Sequence, residues 1–218
     1  MKKSVIIVTS VVFLVLFLDQ LLKFYIKTHF SLGHTVPVFG NWFLISFTEN
    51  PGMAFGMEFG GKFGKIILSL FRIIACCGII YYIYTLIKKK ASTFLLVTIS
   101  LVFAGAAGNI IDSLFYGIIF SQSTPFGVAS LFPAGGGYAS FLHGRVVDML
   151  YFPLFTVHLP SWLPLWGGTD FTFFEPVFNI ADASITIAMF ILIIFQKKLF
   201  KNHIETKPEL SENNNPAN

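Results

Sequence analysis

The sequence predicts an all-α polytopic membrane protein: four transmembrane helices, a small extracytoplasmic β-cradle and an interfacial periplasmic segment. Three observations carry this reading. Of 218 residues, 55% are hydrophobic and only 12% are charged, and the mean hydropathy is +0.73, which is too apolar for a soluble domain. Four runs approach the roughly 20 apolar residues that cross a bilayer, at about 4–25, 64–87, 92–115 and 178–195. Basic residues cluster where alternating spans would bring them to one side: Lys2 and Lys3, then Lys88 to Lys90, then Lys197, Lys198 and Lys201.

The first span carries Asp19 and Lys23, four residues apart and so on one helix face, in the favourable acid-then-base order. Two readings stay open for them. They are a self-neutralising pair with Lys23 snorkelling outward, or they fix or line a site, as intramembrane ionisable groups tend to do. A cleaved signal peptide is not expected, because no small-residue cleavage site follows the apolar run. Residues 35–49 are β-branched and aromatic with Pro and Gly breaks, which predicts short strands on the outer surface. Asn50-Pro51-Gly52 signals a turn, and its glycine would also let backbone approach a ligand.

The second span holds Arg72, with no partner assignable from sequence, and the adjacent Cys76 and Cys77, which read as apolar filling. In the third, Gly105 to Gly108 is a small-residue patch for close helix packing, and Asn109-Ile110-Ile111-Asp112 follows at its outer end. Residues 117–143 and 153–176 are expected outside, the latter with Trp162 and Trp166 at the headgroup level. That aromatic segment reads as an interfacial anchor or as a lid. Residues 1–204 are read as one integral membrane domain and 205–218 as a polar, disordered cytoplasmic tail.

The net charge of +4 follows from the topological clusters, so no nucleic-acid partner is expected, and both termini are placed in the cytoplasm. HExxH, zinc-like Cys/His spacing, GxSxG and a P-loop are all missing, so no metal or cofactor is expected. The aspartates remain. Asp182 opens the last apolar run, and Asp148 closes Val146-Val147-Asp148 near a predicted membrane surface. Two neighbouring carboxylates raise each other's pKa, so one holds a proton while the other is a base, which suits amide hydrolysis by water. Asp182 also has a purely structural explanation, as the N3 residue of a helix capped by Asn179. A proton- or ion-coupled transporter is the alternative for intramembrane carboxylates, although no inverted repeat is evident.

Taken in order, Asp19 with Lys23, Asn50 to Gly56, Gly108 to Asp112, Val146 to Asp148 and Phe178 to Ala183 resemble bacterial lipoprotein signal peptidase, the signal peptidase II family. The resemblance implies a membrane aspartyl endopeptidase that cuts diacylglyceryl-modified prolipoproteins on the N-terminal side of the lipidated cysteine. It implies catalytic roles for Asp148 and Asp182, and substrate contacts or site shaping for Asn50, Gly52, Asn109, Asn179, Asp19 and Lys23. It implies membrane lipid as a partner, inhibition by cyclic peptides of the globomycin type, a four-helix scaffold in the inner membrane, and a site on the extracytoplasmic side. Ser113 stands where the family usually has Arg, and Arg145 is the candidate to supply that positive charge.

Overall fold

The computed structural model describes residues 1–51 and 61–204. Gly52, the remainder of the turn motif through Gly56, and the tail from Glu205 lie outside the described residues. Four helices are long and apolar enough to cross a membrane. They are α1 (Lys2–His29), α2 (Gly61–Lys88), α3 (Thr93–Ile111) and α5 (Ile180–Ile204). Helix α3 is the hub, packing against α1, α2 and α5. Its start is capped by Ser92, whose hydroxyl accepts the Leu95 N–H at 3.2 Å. The outer faces are apolar and exposed, with Phe13, Ile74 and Ile194 among them, as helix surfaces turned to lipid must be.

Close packing of α3 depends on two glycines. A Cβ at Gly105 would collide with the Ala181 carbonyl and the Ser184 hydroxyl, and one at Gly108 would lie 2.8 Å from the Asp19 carboxylate. The small-residue patch therefore presses α3 onto α5 and onto the acid of α1.

The third span differs from expectation. Instead of ending near 115 it continues through a π-helical turn (Asp112–Tyr116) into α4 (Gly117–Ile119), so Asp112 sits within it rather than at its end. The physical reason is that Asp112 is fully buried against cationic and amide partners, so a carboxylate there needs no water. Helix α1 likewise outruns its expected end, reaching His29, because Lys27 on its last turn is also buried and paired.

The outer strands form as expected, with one addition. β1 (Thr35–Phe39) and β2 (Phe43–Asn50) make an antiparallel hairpin, and β3 (Val146–Tyr151) adds to β2, giving the order β1-β2-β3. The register pairs Thr48 with Asp148 and Asn50 with Val146. Under this sheet, Ile26, Phe47, Tyr116, Phe120, Val147 and Met149 form one core, while a second gathers around Leu86, Leu95 and Leu96. The aromatic segment 153–176 folds as a separate two-stranded hairpin, β4 (Phe155–His158) and β5 (Asp170–Phe173), with Trp162, Leu165 and Trp166 exposed around its turn.

Candidate active site

Asp148 enters on β3 and Asp182 on the first turn of α5, and one side chain joins them. Asn179, fully buried, donates from its amide nitrogen to Asp148 Oδ1 at 2.6 Å, while its amide oxygen accepts the Asp182 backbone N–H at 2.8 Å. The Asp182 carboxylate in return accepts the Asn179 N–H at 3.4 Å. The capping box read from the sequence is therefore present, and it also ties the helix start to the strand. β3 reaches this spot because Met149 and Leu150 donate to the Phe178 carbonyl just before α5 begins.

Asn109 on α3 supplies the next link. Its amide oxygen accepts from Lys23 Nζ at 3.0 Å and from Asn179 Nδ2 at 3.1 Å, which forces its NH₂ toward Asp182 Oδ1, at 2.7 Å. Lys23 is fully buried and does not snorkel. It sits between Asp19 Oδ2 at 2.9 Å and Asp112 Oδ2 at 2.8 Å. Asp19 also accepts the Ala181 N–H at 2.9 Å, so the first-helix acid binds the N-terminal turn of α5, where the helix dipole favours negative charge. Gln20 donates to Asp112 Oδ1 at 2.9 Å and accepts the Tyr116 hydroxyl at 3.1 Å.

Above this layer a groove of about 850 Å³ is lined by Thr48 to Pro51 and Asp148 on one side, and by Phe171 to Val177 on the other. Asn50 lies on its wall, at the end of β2. Burial first, and then the charge of Asp182, push the Asp148 carboxyl up to about 7. The structure thus brings together Asp148, Asp182, Asn179, Asn109, Asp19 and Lys23, with Asn50 at the rim.

Arg145 stands elsewhere. Its guanidinium pairs with Glu49 Oε2 at 3.4 Å and lies over the Tyr138 ring, while Lys23 supplies the positive charge at Asp112. The expectation that Arg145 compensates for Ser113 is corrected accordingly. Arg72 of α2 acts electrostatically on Asp182 first, then on Asp112 and Asp148, which gives it the carboxylate neighbours that sequence could not assign.

A second buried charge cluster escaped the sequence reading. Lys27, one turn beyond Lys23, is bonded to Glu49 and to Ser123 Oγ at 2.9 Å, and Ser123 donates to Glu49 at 2.8 Å. This ties α1 to β2 one residue from Asn50. The available signal was the four-residue spacing of Lys23 and Lys27. Among the described residues, no group of His, Cys, Asp and Glu is placed to hold a metal ion.

The family model described as signal peptidase (SPase) II matches residues 11–198. The lipoprotein signal peptidase of Porphyromonas gingivalis is 47% identical over 207 residues, covering 94% of this chain and 89% of that protein. The lipoprotein signal peptidase of Amoebophilus asiaticus is 40% identical over 192 residues, covering 87% and 76%. Two solved structures of bacterial membrane enzymes obtained by the in meso method are similar. One superposes with a TM-score of 0.56 at 27% identity, covering 91% of this chain and 94% of the other. The second gives 0.54 at 26% identity, covering 96% of each.

Proposed function

Since the chain belongs to the signal peptidase II family, we propose that it removes signal peptides from diacylglyceryl-modified prolipoproteins, cutting on the N-terminal side of the lipidated cysteine. Asp148 and Asp182 act as the acid/base pair. The observation that carries this is that Asn179 donates to both carboxylates, from its side-chain amide to Asp148 and from its backbone N–H to Asp182, beside a groove large enough for a peptide.

The division of labour follows from their surroundings. Asp148 is buried and keeps a proton near neutrality. Asp182 accepts the Asn109 amide and the Asn179 N–H, which satisfies an ionised carboxylate. Asp182 takes a proton from water as the water oxygen attacks the scissile carbonyl carbon. Asp148 donates to the carbonyl oxygen and so polarises it. As the C–N bond of the tetrahedral intermediate breaks, Asp182 delivers the proton it took from water to the leaving nitrogen, and Asp148 recovers its proton from a hydroxyl of the intermediate as the new carboxyl group forms. Each such general acid or base step contributes roughly 10²- to 10⁴-fold, and neither a metal nor a covalent intermediate is needed.

The substrate's lipid, held in the bilayer, fixes the scissile bond at the depth of the pair and lowers the entropic cost of positioning. The basic clusters support cytoplasmic termini and a site on the outer side of the inner membrane. Globomycin-type cyclic peptides would bind in the same groove, with Asn50 on its wall as a polar contact and Asn109 and Asn179 shaping the site from beneath. Arg145, turned to Glu49 at the groove's far edge, contacts substrate least in this reading. Gly52 keeps its assignment from the turn motif alone.

The test is cleavage by the purified protein in detergent, with matched lipidated and unlipidated precursors. The proposal expects a product only from the lipidated form, lost in Asp148→Asn and in Asp182→Asn while membrane insertion persists. Full activity in either variant would overturn it, and the transporter alternative predicts no product at all.

A further inference from the structure

The β4–β5 hairpin takes no part in the acid/base machinery, yet Phe171 to Val177, running from β5 toward α5, form a wall of the groove that holds Asp148. The hairpin is largely self-contained. The Phe155 and Phe173 rings stack at 5.0 Å, the Thr156 and Thr172 hydroxyls meet at 3.1 Å, and Phe174 packs edge-on against Phe178 at its base. Its sheet has two strands, so among the described residues β5 is paired on one edge only.

The phase of that open edge can be worked out. Leu159 donates to the Thr169 carbonyl, and the register runs on through His158–Asp170, Val157–Phe171, Thr156–Thr172 and Phe155–Phe173. In an antiparallel pair, residues alternate between bonding the partner strand and turning their N–H and C=O away from it. Thr169, Phe171 and Phe173 therefore face β4, while Asp170 and Thr172 present backbone donors and acceptors outward. An edge of this kind is a template for an added strand.

We propose that β5 binds the substrate by strand addition. The segment of the precursor just after the lipidated cysteine lies extended along β5, bonded through the Thr172 backbone. This rests on the peptidase reading above and specifies which part of the substrate the groove holds. The apolar signal segment belongs among the spans, whereas the chain beyond the lipidated residue leaves the membrane, and β5 lies outside all four spans. The track has room to continue: a second cavity of about 570 Å³ shares Phe171 and Glu175 with the first and leads on between Leu159, Leu163 and Trp166. Main-chain bonding explains how one groove accepts many different mature sequences, because side chains do not carry the affinity.

The experiment is an N-methyl scan. Lipidated precursor peptides carrying one backbone N-methyl group at successive positions after the cysteine are cleaved by the full-length protein in detergent. Strand addition predicts that KM rises about tenfold at alternate positions, with kcat little changed. It further predicts that Thr172→Pro, which removes the outward N–H from an edge position where proline is tolerated, raises KM for the unmethylated peptide and flattens the alternation. A KM independent of the methylated position overturns the proposal and leaves the peptidase reading intact. No cleavage of the unmethylated lipidated peptide overturns the peptidase reading itself.

Discussion

The layer beneath the two aspartates and the wall above them are built on opposite principles. Beneath lie Asp19, Lys23, Asn109 and Asp112, drawn from two helices, with Asp19, Lys23 and Asp112 buried and each of the four bonded to more than one partner. Above lies a hairpin whose strands are largely exposed and which bonds chiefly to itself. In the lower layer every group orients another: Lys23 fixes which way Asn109 faces, and Asn109 fixes Asp182. The upper wall orients neither Asp148 nor Asp182. Changes below should therefore damage stability and chemistry together, and changes above should alter only what is bound.

The largest effect should come from Lys23→Met. It leaves Asp19 and Asp112 buried without their cation, a loss of about 3–5 kcal/mol for a broken buried pair. Thermal unfolding in detergent should show a steep drop in Tm together with loss of cleavage. A variant with normal Tm would show that the layer is not the rigid support described.

Asp148→Asn should abolish cleavage yet stabilise the fold at alkaline pH. The native carboxyl is held up to about 7 from an ordinary value of 3.8. Between those values the folded state binds more protons than the unfolded one, so native stability falls as pH rises through that window. The variant lacks this penalty. Its Tm advantage should be full above pH 7 and shrink as pH falls toward 4, and an advantage independent of pH would contradict the buried, protonated Asp148.

Asn109→Leu should be milder. Lys23 keeps both its carboxylates, while Asp182 loses the amide that orients it, a hydrogen bond to a charged group worth about 1.5–3 kcal/mol, or roughly tenfold to a hundredfold in kcat; the bonds from Lys23 and Asn179 to Asn109 go with it. The smallest effect belongs to the exposed turn of the hairpin, where Trp162→Ala should leave Tm and the detergent kcat almost unchanged. Surface substitutions of this kind usually stay within about 0.5 kcal/mol.

The same contrast explains what the sequence could disclose. Long apolar runs made all four spans legible, and Asn179 with Asp182 showed their capping box because both ends of that contact lie three residues apart. The i,i+4 pair of Asp19 and Lys23 was visible for the same reason. That the cation also holds Asp112, 89 residues away on another helix, was not. Lys27 looked like a residue past the end of the first span, since its partner Glu49 sits on a strand. β3 gave no alternation because Val146 to Met149 are buried on both faces, as the Asp148 side is as enclosed as the Val147 side. Aromatic residues suit both a headgroup layer and a strand pair, so 153–176 read as interfacial rather than as a hairpin.

The most direct test of the two-aspartate account is the pH dependence of kcat/KM for the lipidated precursor. With Asp148 as the proton donor, the account predicts a rate that falls as pH rises through about 7. A rate that is flat or still rising from pH 7 to pH 9 would contradict it.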